Sequence, residues 1–236
     1  MKAILMAAGV GSRLKGAYEK PKCLLDVGGI PLLRRTITML SANGVQTAVV
    51  VGYKKDEIIK ALEGLDVTFF YNPFYKVTNS MGSLWFARSF FSPDEDMIFG
   101  NADVYWGQDV FDLLTADSRD AVMLSDASRV DEGDYFFRTE GGRIVAYGKE
   151  LKREERDCEY VGLAKLRKDF LKGFGERMDK CVEDELYNQW WENVLYNYSM
   201  TYPVYALDVD GRFWGEIDYK EDYERILRHL ESEVTQ

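Results

Sequence analysis

An α/β fold, with a mostly parallel mixed sheet and helices on both faces, follows from three observations in this chain. Short apolar runs alternate with amphipathic segments through about the first 130 residues. The earliest of these runs, residues 2–7, passes directly into Ala7-Ala8-Gly9-Val10-Gly11, the kind of strand-to-loop junction where such sheets collect ligands. Hydrophobic residues make up 46% of the 236, enough for one large core.

Taken in order, residues 2–7 are short and wholly apolar and read as a buried strand. From Pro31 to Asn43, Leu32, Leu33, Ile37 and Leu40 recur at helical spacing, with Pro31 suited to the first turn and Gly44 to the end. Gln46–Val51 is a β-branched strand closing on Gly52. Lys54–Glu63 reads as a helix, Val67–Tyr71 as a strand and Asn79–Phe91 as a helix. Met97–Phe99 is a short strand running into Gly100-Asn101-Ala102-Asp103; Asp109–Leu114 is helical and Ala121–Leu124 a strand. The rhythm then changes. Tyr135–Thr139 and Arg143–Tyr147 flank Glu140-Gly141-Gly142 as a hairpin, Tyr160–Lys165 is a strand, and Lys168–Lys180 and Asp184–Tyr196 are helices. Tyr202–Leu207 is a strand and Tyr219–Glu233 a closing helix. One domain is expected over 1–236: a nucleotide-binding core to about 130, a small α+β lobe over 131–200, and a return to the core over 201–236. No internal repeat or low-complexity segment interrupts it.

Several functions are disfavoured at once. A net charge of −10 argues against nucleic acid or an anionic membrane as the main partner. No apolar run reaches the roughly 18–20 residues of a membrane span, and the N-terminal stretch stops at Gly9 without a signal-peptide pattern, so a cytoplasmic protein is expected. The three cysteines, Cys23, Cys158 and Cys181, are widely spaced, which suits free thiols and not a zinc site. The single histidine, His229, lies in the closing helix and is expected at its surface; a Ser-His-Asp triad has no support.

The opening loop carries the chemistry. Small residues strip bulk from the backbone so that its N–H groups can approach phosphate, and Arg13 and Lys22 add fixed positive charge. The spacing is neither a Walker P-loop nor a three-glycine dinucleotide fingerprint, since Lys20-Pro21-Lys22 interrupts. Asp103 follows one strand and Asp218 precedes the closing helix. Each alone would pass for a turn or capping aspartate.

The longer pattern, Leu-x-Ala-Ala-Gly-x-Gly-Ser-Arg, then Lys-Pro-Lys-x-Leu, then Val27-Gly28-Gly29-x-Pro31-Leu32, resembles the signature of nucleotidyltransferases that activate phosphorylated small molecules. Over nearly its whole length the chain is similar to the bacterial choline-phosphate cytidylyltransferases. The matching residues are Val51-Gly52-Tyr53, the set Asn72, Tyr75, Asn79 and Ser83-Leu84, Asn101-Ala102-Asp103, Tyr187 to Asn193, and Glu216-Ile217-Asp218. The resemblance implies a Rossmann-like nucleotidyltransferase fold and a Mg²⁺-dependent transfer of CMP from CTP, with release of pyrophosphate. It places Lys22 and Arg13 in catalysis and Asp103 and Asp218 on the metal. It maps Leu5, Ala7, Ala8, Gly9, Gly11, Ser12, Gly52, Ser83 and Ala102 to the nucleotide. The chain departs from the family over Leu14–Glu19, where a Thr-Pro-Leu-Thr stretch is usual.

For the acceptor, Trp190, Glu192 and Tyr187 would form a box for a cationic head group, with Tyr135 and Asp134 as further candidates. Adjacent helical positions point about 100° apart, so Trp191 is assigned to the core and Trp190 to the site. Phosphocholine is the first acceptor, followed by phosphoethanolamine and 2-aminoethylphosphonate. Alternatives are a sugar-1-phosphate nucleotidyltransferase using UTP, dTTP or GTP, and an inactive nucleotide-binding regulatory domain. A glycosyltransferase is disfavoured because Asn101-Ala102-Asp103 stands where an Asp-x-Asp would be. A homodimer is left open.

Overall fold

The computed structural model describes residues 1–11 and 19–234. Ser12 and Arg13, expected at the triphosphate, lie outside the described residues, as does most of the Leu14–Glu19 departure. The first half of the fold follows the alternation: β1 (Lys2–Ala7), α1 (Leu32–Ala42), β2 (Gln46–Val51), α2 (Lys55–Ala61), β3 (Val67–Tyr71), α3 (Ser80–Phe86) and β4 (Met97–Asn101). Next come β5 (Val104–Trp106), α4 (Gln108–Ala116), β6 (Ala121–Asp126), β7 (Phe136–Glu140), β8 (Arg143–Gly148), β9 (Cys158–Leu166) and α5 (Lys168–Glu183). The chain closes with α6 (Asn193–Tyr196), β10 (Tyr205–Asp208), β11 (Trp214–Glu216) and α7 (Lys220–Val234).

A nine-stranded sheet has the order β3-β2-β1-β4-β9-β6-β10-β8-β7. The left half is parallel: β1 lies between β2 and β4, with Ala7 opposite Val51 and Met6 opposite Asn101. β9 enters antiparallel between β4 and β6, and β10 returns parallel to β6. The sheet is mixed because β7, β8 and β9, the residues after the change of rhythm, add to it as antiparallel strands. At the β7–β8 turn, Gly141 and Gly142 both have positive φ, which a tight two-residue hairpin loop requires.

Alternation along the strands splits the core between two faces. Ile4, Ala48 and Val50 join Leu84 of α3 and Phe174 of α5 in one apolar cluster. Leu5, Val49 and Val51 join Ile37 of α1, Ile58 of α2 and Val110 of α4 in the other. All three cysteines are free and buried. His229 is half-buried and not a plain surface residue, because its ring stacks on Phe213 at 3.7 Å.

Two sequence expectations are corrected. The helix expected over Asp184–Tyr196 is only the short α6; α5 stops at Glu183, and Glu185 turns the chain with φ of 62°. The intervening segment is instead held by α3, whose Met81 and Gly82 N–H groups donate to the carbonyls of Gln189 and Tyr187. These are helix N-terminal donors that need an outside acceptor, and a helix over 184–192 would have kept its own carbonyls for itself. The second correction is a two-stranded antiparallel ribbon of β5 and β11, apart from the main sheet. Its strands are only three residues long, and the sequence reading assigns them no element.

Candidate active site

The C-terminal ends of β1, β2 and β4 meet at one edge of the sheet, where α/β folds bind ligands. Backbone bonds fix the loops that leave there: Tyr53 N–H donates to Ala8 C=O at 3.0 Å, and Ala102 N–H to Met6 C=O at 3.1 Å. Gly52 sits in this join with no room for a side chain; a Cβ would stand 2.7 Å from the Ala8 carbonyl oxygen. The absence of a side chain lets the two loops pack closely. Leu5 is wholly buried in the core.

Lys22 is brought to the same edge by a short 3₁₀ turn over Lys22–Leu24, pinned by the buried Cys23 and Leu24. Its Nζ donates to Asp218 Oδ1 at 2.5 Å and lies 3.9 Å from Asp103 Oδ2. The ribbon explains how an aspartate 115 positions later in the chain arrives there. β11 pairs with β5 so that Glu216 faces Val104, and Ile217 N–H then donates to the Asp103 carbonyl at 3.0 Å. Asp218 N–H is held by Asp222 Oδ2 at 3.1 Å. Both aspartates are thus fixed by backbone register and converge on one ammonium.

Glu216 is a site residue that sequence reasoning quoted without giving it a role. It accepts from Asn101 Nδ2 at 3.4 Å. Burial, with Asp103 and Asp218 alongside, drives its carboxyl well above the ordinary carboxylate range. Its position two residues before Asp218 was the available signal.

Two adjoining cavities open on this centre and share Gly11, Lys22, Asn79, Ser80, Trp190 and Glu216 among their walls. The first takes in Ala7, Ala8, Gly9, Ser83, Ala102 and Asp103, which are six of the residues expected at the nucleotide and metal. Ser83 is fixed from behind by the buried Asn72, whose Nδ2 donates to Ser83 Oγ at 3.0 Å. The structure gathers Lys22, Glu192, Trp190 and Asp218 around the second cavity, together with Asp134 and Tyr135. Tyr160, Tyr196 and Lys149 also line it and were not anticipated. Tyr187 does not: it lines an apolar surface groove beside Phe74 and Trp85. Its carbonyl accepts from the N–H groups of Asn79 and Gly82 at the start of α3.

Trp190 and Trp191 do separate as expected, with Trp191 0% and Trp190 41% exposed. The cause is an irregular turn and not helical phase. Trp191 N–H donates to Ser80 Oγ at 2.9 Å, which sets the turn against α3. Glu192 is 6% exposed, and burial pushes its carboxyl up to about 7. The Tyr160 hydroxyl is near enough to favour the carboxylate somewhat, but closes no hydrogen bond of normal geometry.

A glycine loop and a lysine–aspartate centre at the C-terminal edge of parallel strands mark an enzyme class, the nucleotidyltransferases. The model of the MobA-like NTP transferase domain matches residues 3–216, and the chain belongs to that family. It is 36% identical over 242 residues to the choline-phosphate cytidylyltransferase of Haemophilus influenzae, covering 98% of this chain and 97% of that one. It is 30% identical over 254 residues to the CTP:phosphoglutamine cytidylyltransferase of Campylobacter jejuni, covering 95% and 98%. Among solved structures, the CTP:phosphocholine cytidylyltransferase of Streptococcus pneumoniae, LicC, superposes with a TM-score of 0.78 over 97% of this chain and 98% of that chain. At 22% identity this last likeness speaks to fold alone. Among the described residues no helix is long and apolar enough to cross a membrane.

Proposed function

We propose that this enzyme transfers CMP from CTP to a phosphorylated amino-alcohol and releases pyrophosphate. The observation that carries the reading is the pair of cavities joined at Lys22, one walled by backbone-lean loops and the other by aromatic rings and a buried carboxylate. The first suits a nucleoside triphosphate, whose phosphates need close approach to N–H groups. The second suits a head group that is cationic and partly apolar. The cytidylyltransferase names of the two relatives support CTP and a phosphorylated acceptor.

In the reaction, an acceptor phosphate oxygen forms a bond to the α-phosphorus as the bond to the β-phosphate oxygen breaks. The nucleophile is already anionic, so no general base is needed. Lys22 stabilises negative charge on the α-phosphate at the meeting point of the two substrates. Asp103 and Asp218 present hard oxygen donors at one point, which fits a divalent cation such as Mg²⁺ completing its shell from phosphate and water. When bound, such a cation would supply charge neutralisation to the phosphates.

A sugar-1-phosphate acceptor would call for polar side chains where Trp190, Tyr135 and Tyr160 stand. An inactive regulatory domain would be expected to lose Lys22, Asp103 or Asp218, and the chain keeps all three. The test is a pyrophosphate-release screen of ATP, CTP, GTP and UTP against phosphocholine, phosphoethanolamine, 2-aminoethylphosphonate and glucose-1-phosphate, with MgCl₂. Turnover is expected with CTP and an amino-alcohol phosphate. Turnover confined to the sugar phosphate would sink the reading.

A further inference from the structure

The second cavity discriminates among amines, and it does so through hydrogen bonding. Resting on the cytidylyltransferase reading above, we propose that the acceptor's nitrogen is a primary ammonium that donates N–H bonds to Glu192, Tyr160 and Tyr196, and that a quaternary ammonium is the poorer substrate.

A quaternary ammonium has no N–H and is held by open aromatic faces. Those faces are largely taken in this cavity. Lys149 Nζ lies 5.8 Å over the Trp190 ring, and the same ammonium is tied to Asp134 Oδ2 at 2.8 Å. The chain's own ammonium therefore already sits against the Trp190 ring. Tyr196 is stacked on Tyr147 at 4.1 Å, with the rings 16° apart, and Tyr135 lies parallel to it at 6.0 Å. Tyr135 also meets Trp190 edge to face at 5.6 Å.

Two of the tyrosines that line the cavity carry buried hydroxyls. The Tyr160 and Tyr196 hydroxyls are buried with no hydrogen-bond partner, in residues only 8% and 4% exposed. Glu192 is 6% exposed, and among the described residues no cationic side chain is within ion-pair distance of it. Buried hydroxyls without partners are rare and costly, about 1–3 kcal/mol each, so two of them beside a buried carboxylate around one cavity describe a ligand's donors. A protonated primary amine has three N–H bonds and one positive charge, which matches two hydroxyl oxygens and a carboxylate. Each methyl placed on that nitrogen removes one donor and leaves one of these groups buried and unmatched. Sites built to hydrogen-bond a substrate reject the analogue that lacks the donor far more strongly than apolar pockets reject an added methyl.

The experiment is steady-state pyrophosphate release with CTP, MgCl₂ and the series phosphoethanolamine, its N-methyl and N,N-dimethyl derivatives, and phosphocholine. The expected result is a fall in kcat/KM along the series of at least about tenfold from first to last, carried mainly by KM of the acceptor. Tyr160→Phe and, independently, Tyr196→Phe should each lower kcat/KM for phosphoethanolamine by a larger factor than for phosphocholine, with the loss in the acceptor's KM. Equal or better use of phosphocholine, or hydroxyl deletions that affect all four acceptors alike, would overturn the proposal and leave the cytidylyltransferase reading standing. Turnover of none of the four would overturn both.

Discussion

Lys22 is the residue on which both cavities depend. Lys22→Met removes the ammonium and keeps the stem, so kcat/KM should fall roughly 10²–10³-fold, the usual loss for one preorganised charge donor. The check is pyrophosphate release alongside far-UV circular dichroism; activity within tenfold of wild type and an intact spectrum would remove Lys22 from catalysis. Glu192 makes a second prediction. Its carboxyl is raised from about 4.5 to about 7 by burial, so the folded protein binds this proton more tightly than the unfolded chain does. Its contribution to stability therefore falls as pH rises from about 4.5 to about 7, and the full penalty, on the order of 3 kcal/mol, persists above that. Tyr135, Tyr160 and Tyr196, which face it, are all shifted upward and do not titrate in this window, and Glu216 is raised well above its usual range. Glu192→Gln should thus be more stable than wild type at pH 8, with the difference vanishing near pH 4, while acceptor KM rises at least tenfold. A thermal shift equal at both pH values would contradict the assignment. Lys22, Asp103, Asp218, Trp190 and Glu192, which line the two cavities, were all named from the sequence, because each sits in a stretch that carries the family resemblance. Tyr160 and Tyr196 were not. Tyr160 lies in a nine-residue strand buried throughout, and nothing local says that its hydroxyl ends at a cavity.

At the scale of elements, the β5–β11 ribbon sets the distance between the two aspartates. Its register and the Ile217 N–H bond to Asp103 leave Asp218 little freedom. Ile217 is wholly buried, in an apolar cluster with Leu32 of α1, Tyr105 of β5 and Ile226 of α7. Ile217→Ala should cost about 2–4 kcal/mol of stability. It should also raise the Mg²⁺ concentration needed for half-maximal activity, because the cavity left behind loosens one of two ligand positions. Urea denaturation and a Mg²⁺ titration check the two parts; lost stability with unchanged Mg²⁺ dependence would mean that the ribbon is structural only. Strands of the parallel half were legible from their unbroken apolar runs. The ribbon escaped because three residues are too few for a period, and the segment 184–192 escaped because its partners lie a hundred residues away on α3. Tyr187, expected at the acceptor from the same stretch, lines a separate apolar groove.

Across the whole molecule, a chain of net charge −10 still handles highly anionic substrates. On the proposed reading it does so by local arrangement, with Lys22 and the loop N–H groups set where the parallel strands end, and carboxylates kept for a metal and an amine. The α/β class and the site's edge of the sheet were legible from the alternation and the opening loop. The antiparallel insertion of β9 between β4 and β6 was not, since its pairs are 63–69 positions apart with β4 and 33–45 apart with β6, and it is this insertion that carries Tyr160 to the second cavity. The most direct measurement is ³¹P NMR of the reaction of CTP with phosphoethanolamine and MgCl₂, run with wild type, Asp103→Asn and Asp218→Asn. Wild type should produce pyrophosphate in step with a new pair of coupled diphosphate doublets, and both variants should produce neither while keeping their fold. Pyrophosphate without the coupled doublets, or doublets undiminished in both variants, would contradict CMP transfer at this centre.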